Sequence, residues 1–189
     1  MERSFPKVIG LFGLDGCGKS TIAGWLATNY LFQKATIAPF AQELKNVALR
    51  LGWNGIKDAK GRRLLRLLGT ECGRGCIDEN IWVNKWKESI TRSLLIGKII
   101  IVDDVRFENE IETIKSMGGI TIQINGRYSG KPLRWYHFYW MAITAIFRHK
   151  SIQLSLKQPC TYTVDNSGTI ENTKAQVRTI LERFHNGNL

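Results

Sequence analysis

The sequence is poor in the residues that build disulfide frameworks, metal clusters and membrane spans. It contains four cysteines and three histidines among 189 residues, and no histidine stands near a cysteine at the spacing of a zinc site. We therefore expect isolated reduced thiols in a cytosolic protein. The longest apolar run, residues 138–147, is shorter than the about 20 residues that span a bilayer. Residues 1–6 are polar and do not form a signal peptide.

Acidic residues are also scarce, and their distribution is uneven. The chain has 16 Asp and Glu against 27 Lys and Arg, a net charge of +11. Residues 1–75 have 12 basic and 5 acidic side chains, residues 76–126 have 6 and 8, and residues 127–189 have 9 and 3. This surplus suits a site for two phosphorylated ligands, weak nucleic-acid binding, or simply a solubilising surface, and charge alone does not choose among them.

The stretch from Lys7 to Thr21 has the order of a phosphate-binding P-loop. A buried strand, residues 8–12, runs into a glycine-rich turn and then into a helix with apolar residues at helical spacing. The turn fits G-x-x-x-x-G-K-[ST], in which the lysine reaches the β- and γ-phosphates of ATP and the hydroxyl is a ligand of Mg²⁺. The predicted ATP-binding residues here are Gly13, Asp15, Gly16, Cys17, Gly18, Lys19, Ser20 and Thr21.

Strands and helices alternate through most of the chain. Further strands are predicted at residues 34–38, 99–102, 120–124 and 161–164, with a short basic helix at 62–68, a long helix after Asp78, and helices over 108–117 and at the C-terminus. The glycine-rich residues 69–75 are expected to end the basic helix and leave backbone groups open. The pattern predicts an α/β P-loop NTPase sandwich of three layers. Its mostly parallel central sheet has about five strands, with helices on both faces.

Two acids follow the strand at residues 99–102. Four consecutive β-branched residues indicate a strand buried on both faces, and Asp103 and Asp104 come directly after it. Open α/β sheets place ligands at this end of their strands. We assign Asp104 to catalysis and, with Ser20, to Mg²⁺, although which of the two acids serves the metal stays open. Alternatively, these acids only cap the next helix.

Residues 127–160 depart from the alternation. Arg127, Lys131 and Arg134 precede an aromatic-rich stretch at 135–147. This insertion is either a helical lid that closes over ATP, or a packing helix or homodimer contact; attachment to a membrane surface is a remote third interpretation. We treat residues 1–189 as a single domain, with 40–97 as the acceptor-binding region and 127–160 as the lid or insertion.

Four separated motifs resemble the bacteriophage-type deoxynucleoside monophosphate kinases. They are GLDGCGKST at 13–21, RRLLRLLGTECGR at 62–74 followed by Trp82, IVDDVRFENE at 101–110, and VDNSGTIEN at 164–172. The resemblance implies transfer of the γ-phosphoryl group of Mg²⁺-ATP to a nucleoside 5′-monophosphate for DNA precursor synthesis. If the gene is phage-encoded, this would occur in the host cytoplasm.

The same resemblance implies roles for individual residues. It places Asn166 and Gly168 near the adenine of ATP, and Asp104, Arg106 and Glu110 between the two ligands. Arg127 and Arg134 are lid candidates, Arg127 in a catalytic role and Arg134 towards the substrate. The monophosphate pocket would include Arg63, Gly69, Thr70, Arg74 and Trp82. Trp82 either stacks on the base or fills the core, since Trp86 and Ile90 recur at its helical spacing.

The residues suit phosphoryl transfer because the acceptor phosphate is already an anion and needs no general base. The barrier lies in bringing two polyanions together, which calls for Mg²⁺ and well-placed cations. We favour Arg63, Arg74 and Arg106 over scattered lysines, since a guanidinium grips phosphate with two donors.

Other interpretations remain open at this level. GLDGCGKST also resembles thymidylate kinase, and Ser20 stands where some phage-type relatives have aspartate. The acceptor could instead be a polynucleotide, a modified base in DNA or a phosphorylated metabolite. A protein of another class, a nucleotide-dependent switch or assembly protein, would use ATP without an acceptor.

Overall fold

The computed structural model describes residues 5–126 and 161–185. Its first half consists of β1 (Val8–Phe12), α1 (Lys19–Trp25) with a π-helical continuation (Leu26–Tyr30), β2 (Ala35–Ile37), α2 (Ala41–Arg50) and α3 (Ala59–Arg66) with a π-helical continuation (Leu67–Ile77). There follow α4 (Ile81–Leu95), β3 (Ile99–Val102), α5 (Glu108–Ser116), β4 (Ile120–Gly126), β5 (Tyr162–Asn166) and α6 (Ile170–His185). Predicted and observed strand limits agree within two residues.

All five strands form one parallel sheet in the order β2-β3-β1-β4-β5. β1 lies at the centre, where its five residues are all buried, and it pairs with β3 on one side and β4 on the other. Since the strands are parallel, the turns after β1, β2 and β3 all leave the sheet at the same edge. The glycine turn, the start of α2 and the acid pair after β3 are thereby brought together.

The sheet has a separate apolar core on each face. Successive β1 residues alternate between them, with Ile9 packed under α1 and α6 and Val8 packed under α4 and α5. The side chains that fill the α4 and α5 side include Trp86, Ile90, Ile111 and Ile114. This three-layer arrangement confirms the predicted fold.

The region between α3 and α4 differs from the sequence prediction. Residues 69–75 were expected to end the basic helix, but the chain continues as a π-helical segment to Ile77. Its glycines serve close packing, because a β-carbon on Gly69 would lie 2.9 Å from Leu44 and one on Gly73 would lie 2.8 Å from Trp82. The helix predicted after Asp78 begins at Ile81, with Asn80 as its N-cap residue.

Within the described residues, no helix is both long enough and apolar enough to cross a bilayer. Cys17, Cys72 and Cys76 are free thiols, which agrees with the expected absence of a disulfide framework among the residues that the structure covers. Residues 127–160, the predicted lid or insertion, lie outside the described part of the chain, as do Arg127, Lys131, Arg134 and Cys160 within it.

Candidate active site

The turn after β1 needs glycine at several positions. Gly13, Gly16 and Gly18 have φ of 142°, 82° and 99°, values at which a β-carbon is strained. A β-carbon on Gly13 would also collide with the carbonyl oxygen of Ile124, and one on Gly18 would lie 2.5 Å from the side-chain amide of Asn166. These glycines therefore allow the turn to fold closely over β4 and β5.

Lys19 reaches back into this turn. Its Nζ donates hydrogen bonds to the carbonyl oxygens of Gly13 at 2.9 Å and Leu14 at 2.7 Å. Lys19 is also the first residue of α1, so the ammonium group lies close to the N-terminal end of that helix. A cation beside free helical N–H groups is a site suited to phosphate.

The two acids after β3 turn to different partners. The Ser20 hydroxyl donates to Asp103 Oδ2 at 2.7 Å. Asp104 points away from this pair and accepts hydrogen bonds from the backbone N–H groups of Phe40 at 2.8 Å and Ala41 at 2.9 Å. The neighbour of Ser20 is therefore Asp103, and the contacts of Asp104 give no support to its assignment as the metal-binding acid.

The environment of Asp104 opposes its ionisation in one way and favours it in others. Burial raises the pKa of its carboxyl group above the ordinary value, and the hydrogen bonds from Ala41 and Phe40 partly counter that rise. The nearby charge of Asp103 raises the pKa further, whereas Lys45 lowers it.

Arg106 lies at the mouth of the glycine turn. Its guanidinium group is 3.6 Å from Asp15 Oδ1, and both side chains are exposed, at 57% and 88% of their full area. An ion pair this open to water contributes little to stability, so the Arg106 guanidinium can exchange Asp15 for a phosphate.

Arg74 was predicted to grip a phosphate, but its guanidinium group is already engaged. It donates to Glu110 Oε1 at 2.7 Å, with the two side chains only 8% and 4% exposed. It also donates to the carbonyl oxygen of Glu79 and lies 3.9 Å from the centre of the Phe107 ring. These contacts assign Arg74 to holding the chain before α4 against α5, and nothing in them directs it at a substrate.

Glu110 accepts three hydrogen bonds inside the protein. Besides Arg74, its carboxylate accepts from the backbone N–H groups of Arg106 at 2.7 Å and Phe107 at 3.0 Å. Burial raises the pKa of Glu110 to about 7, and the two N–H groups and Arg74 act against that rise. Burial also lowers the pKa of Arg74, with the charge of Glu110 opposing it. Glu110 thus fixes the backbone of Arg106 and does not face an open ligand site.

The Trp82 side chain is part of the protein interior. It is 6% exposed, its indole N–H donates to the carbonyl oxygen of Gly69 at 2.7 Å, and its ring covers Gly73. Of the two interpretations from the sequence, these contacts favour core packing over stacking on a base. Gly69 is likewise buried against Leu44, which leaves Thr70 as the half-buried polar residue of this segment.

We expect Trp82→Phe to lower the free energy of unfolding by about 1–3 kcal/mol, because it removes a buried hydrogen bond and leaves the Gly69 carbonyl unpaired. Urea denaturation measures this. Trp53→Phe is the matched control, since its indole N–H also donates to a carbonyl oxygen, that of Ile56, but at an exposed site. A change in preference among acceptor bases, with stability unaltered, would instead indicate that Trp82 stacks on the substrate.

The remaining predicted site residues are divided between the loop mouth and the surface. The Asn166 side chain donates to the carbonyl oxygen of Cys17 at 2.9 Å and accepts from Thr173, so it supports the glycine turn from β5. Gly168 follows in an exposed turn, and Thr21 and Arg63 are exposed. No contact in the described residues tests the placement of Asn166 and Gly168 near adenine.

The sequence did not indicate that Arg74 pairs with Glu110, or that Asp104 binds the start of α2. Both contacts join residues far apart in the chain, and periodicity reports only on local structure. The Asp103 interaction with Ser20 could be anticipated only in part, because the strand places both acids at the correct edge without showing which one turns towards the P-loop.

Comparison with known proteins supports a kinase fold. No family model matches the sequence. A protein of Acanthamoeba polyphaga mimivirus, named "Putative deoxynucleotide monophosphate kinase", is 29% identical over 142 residues, which cover 62% of this chain and 73% of the viral protein.

Two solved structures have the same architecture. The dephospho-CoA kinase of Campylobacter jejuni matches with a TM-score of 0.55 and 18% identity, over 97% of this chain and 99% of that one. The APS kinase of Mycobacterium tuberculosis matches with a TM-score of 0.52 and 11% identity, over 94% and 98%. Identities this low establish the fold alone. The chain therefore has the three-layer fold of the P-loop kinases, with its glycine turn, Asp103 and Arg106 at the carboxyl edge of the sheet.

Proposed function

We propose that this protein transfers the γ-phosphoryl group of ATP to a nucleoside 5′-monophosphate, with deoxynucleotides as the preferred class. The observation that carries the proposal is the conjunction of three groups at one sheet edge: the Lys19 ammonium in the glycine turn, the Ser20 hydroxyl on Asp103, and the Arg106 guanidinium at the turn's mouth. The name of the mimiviral relative gives independent support to a deoxynucleotide acceptor.

The donor set fits a magnesium nucleotide. Mg²⁺ in such sites keeps several waters and binds through few protein oxygens together with substrate phosphates. In agreement, the described residues contain no cluster of three or more His, Cys, Asp or Glu that could hold a metal ion on its own. Ser20 would be the direct ligand and Asp103 would hold a metal-bound water. When bound, Mg²⁺ neutralises charge on the phosphate oxygens.

The chain's own residues supply orientation and positive charge. Lys19 would exchange its two carbonyl partners for phosphate oxygens of ATP, while the amides of the turn hold the rest of the chain of phosphates. Arg106 would leave Asp15 and bind the oxygens between donor and acceptor. Two phosphate charges at about 4 Å repel by about 4 kcal/mol at an effective dielectric constant of 20, so a cation at this point is needed to bring the reactants into contact.

The second arginine for the acceptor would come from α3. Arg63 is exposed and, unlike Arg74, has no ion pair in the part of the chain that the structure describes. Thr70 lies further along the same helical segment. Arg127 and Arg134 stay predictions as lid residues, and a homodimer contact through residues 135–147 stays an alternative use of that insertion.

The test is to incubate the protein with Mg²⁺-ATP and each ribo- and deoxynucleoside monophosphate separately. The expected result is equimolar ADP and nucleoside diphosphate with at least one monophosphate, resolved by anion-exchange chromatography. Hydrolysis of ATP without any phosphorylated acceptor would contradict the proposal and support a nucleotide-dependent switch.

A polynucleotide acceptor is the second candidate, favoured by one observation. Arg62, Arg63 and Arg66 of α3 are all exposed, and such a cluster can bind a phosphate backbone. An arm of the same assay with a 5′-hydroxyl oligonucleotide and labelled ATP examines it. Transfer to the oligonucleotide and to no monophosphate would replace the first proposal by the second.

A further inference from the structure

The start of α2 lacks a cap of its own. Its N-cap residue is Phe40, which has no side-chain hydrogen-bond acceptor, and the first N–H groups of a helix have no partner within the helix. In this protein the acceptor is supplied from 63 residues away, because Asp104 Oδ1 accepts from Phe40 and Oδ2 from Ala41. A carboxylate at this end of a helix is also favoured by the helix dipole.

Asp103 and Asp104 therefore connect two different regions to one turn. Asp103 faces Ser20 of the nucleotide site, and Asp104 holds the first helix of the predicted acceptor region. Neighbouring residues in extended chain point to opposite sides, so consecutive acids can reach two elements at once. Any shift of the β3 exit would move both contacts together.

The connection continues from α2 to the segment predicted to face the acceptor. Leu44, one turn into α2, packs so closely on Gly69 that a β-carbon there would lie 2.9 Å from it. Thr70 comes next. A contiguous set of contacts thus runs from Ser20 through the two acids and α2 to the segment containing Thr70.

We propose that Asp104 is a positioning residue: by capping α2, it sets the placement of the acceptor-binding region relative to the Ser20–Asp103 pair. This inference rests on the proposed function for its kinetic part. Its structural part, the capping of α2, can be tested whichever acceptor is used.

The experiment compares Asp104→Asn with its neighbour Asp103→Asn. The Asp104 variant keeps one acceptor oxygen for two N–H groups, so we expect faster hydrogen exchange at the amides of Phe40 and Ala41, a KM for the monophosphate raised about tenfold, and a KM for Mg²⁺-ATP changed less than about twofold. Asp103→Asn should show the converse, with a weakened Mg²⁺ dependence and unchanged exchange at these amides.

The Asp104 variant is expected to fold, because α2 has a second anchor. The Phe40 ring lies 4.4 Å from that of Trp86, and the Trp86 indole donates to the carbonyl oxygen of Ala38. Should it nevertheless fail to fold, wild-type protein gives the same test, because a mixture of the four deoxynucleoside monophosphates should slow exchange at Phe40 and Ala41 by linkage.

Two results would overturn the proposal. If Asp104→Asn and Asp103→Asn shift the Mg²⁺ dependence alike, Asp104 belongs to the metal site. If exchange at Phe40 and Ala41 rises while the KM for the monophosphate stays unchanged, the cap is merely structural. Neither result touches the proposed function, which fails only if wild-type protein phosphorylates no monophosphate.

Discussion

Lys19→Met is expected to reduce kcat for phosphoryl transfer by about 10²- to 10³-fold, the loss that follows removal of one preorganised donor to developing charge. Methionine keeps most of the side-chain volume and removes the ammonium group. Without it, no cation lies inside the glycine turn to offset negative charge as the phosphoryl group moves. Steady-state production of the nucleoside diphosphate measures the effect.

The fold of this variant is expected to survive, because only the two hydrogen bonds to the Gly13 and Leu14 carbonyl oxygens are lost. Each is worth about 0.5–1.5 kcal/mol to stability. Lys87→Met on α4 is the matched control, since Lys87 is exposed and remote from the turn. Retention of kcat within threefold of wild type by Lys19→Met would show that the turn does not orient a transferring phosphate.

The features that the sequence predicted well are those fixed by local pattern. β1 and β3 were placed at their observed limits, because runs such as Ile99–Val102 are too short and too β-branched for a buried helix. The glycine turn was recognisable because the positions with positive φ can hardly be anything but glycine. Once the strands were known, the rules for parallel sheets placed the acids at the correct edge.

The glycines of residues 69–75 show where such reasoning reaches its limit. Glycine frees the backbone for a ligand in one context and lets two helices approach in another, and the residue itself is the same. Gly69 and Gly73 are packed beneath Leu44 and Trp82, residues that belong to other helices. Only the tertiary arrangement distinguishes the two uses.

Charged residues are misassigned for a related reason. Arg74 and Arg106 stand in equally basic and glycine-rich surroundings in the sequence, yet one is buried against Glu110 and the other is open at the loop. The difference comes from the position of α5, whose first turn carries Glu110 to within reach of the segment before α4. A partner 36 residues away leaves no local signal.

Because of this burial, Glu110→Gln should destabilise the protein more than Arg74→Met. Removing one member of a buried ion pair costs about 3–5 kcal/mol, since it leaves an uncompensated charge. A guanidinium cannot shed its charge, so Glu110→Gln leaves Arg74 buried and cationic. After Arg74→Met, Glu110 can take up a proton, which limits the cost to about 1–3 kcal/mol.

A double-mutant cycle with Arg74→Met/Glu110→Gln measures the coupling. The double variant should be more stable than Glu110→Gln alone, because it contains no buried cation, and the introduced glutamine amide oxygen can still accept from the backbone N–H groups that Glu110 binds. Urea denaturation at pH 8 gives the four free energies of unfolding. Additive losses would show that the two side chains, although 2.7 Å apart, do not stabilise each other.

The pH dependence of the same cycle has a definite sign. Burial raises the pKa of Glu110 from 4.5 in the unfolded chain to about 7 in the folded protein, so the folded state binds more protons between these values. The free energy of unfolding of the wild type, relative to the double variant, should therefore be highest below pH 4.5, fall towards about pH 7, and stay level above it. The double variant is the proper reference because it lacks only this ionisation. A relative stability that rises with pH over this range would mean that Arg74 and the backbone N–H groups outweigh burial and hold the Glu110 pKa below its ordinary value.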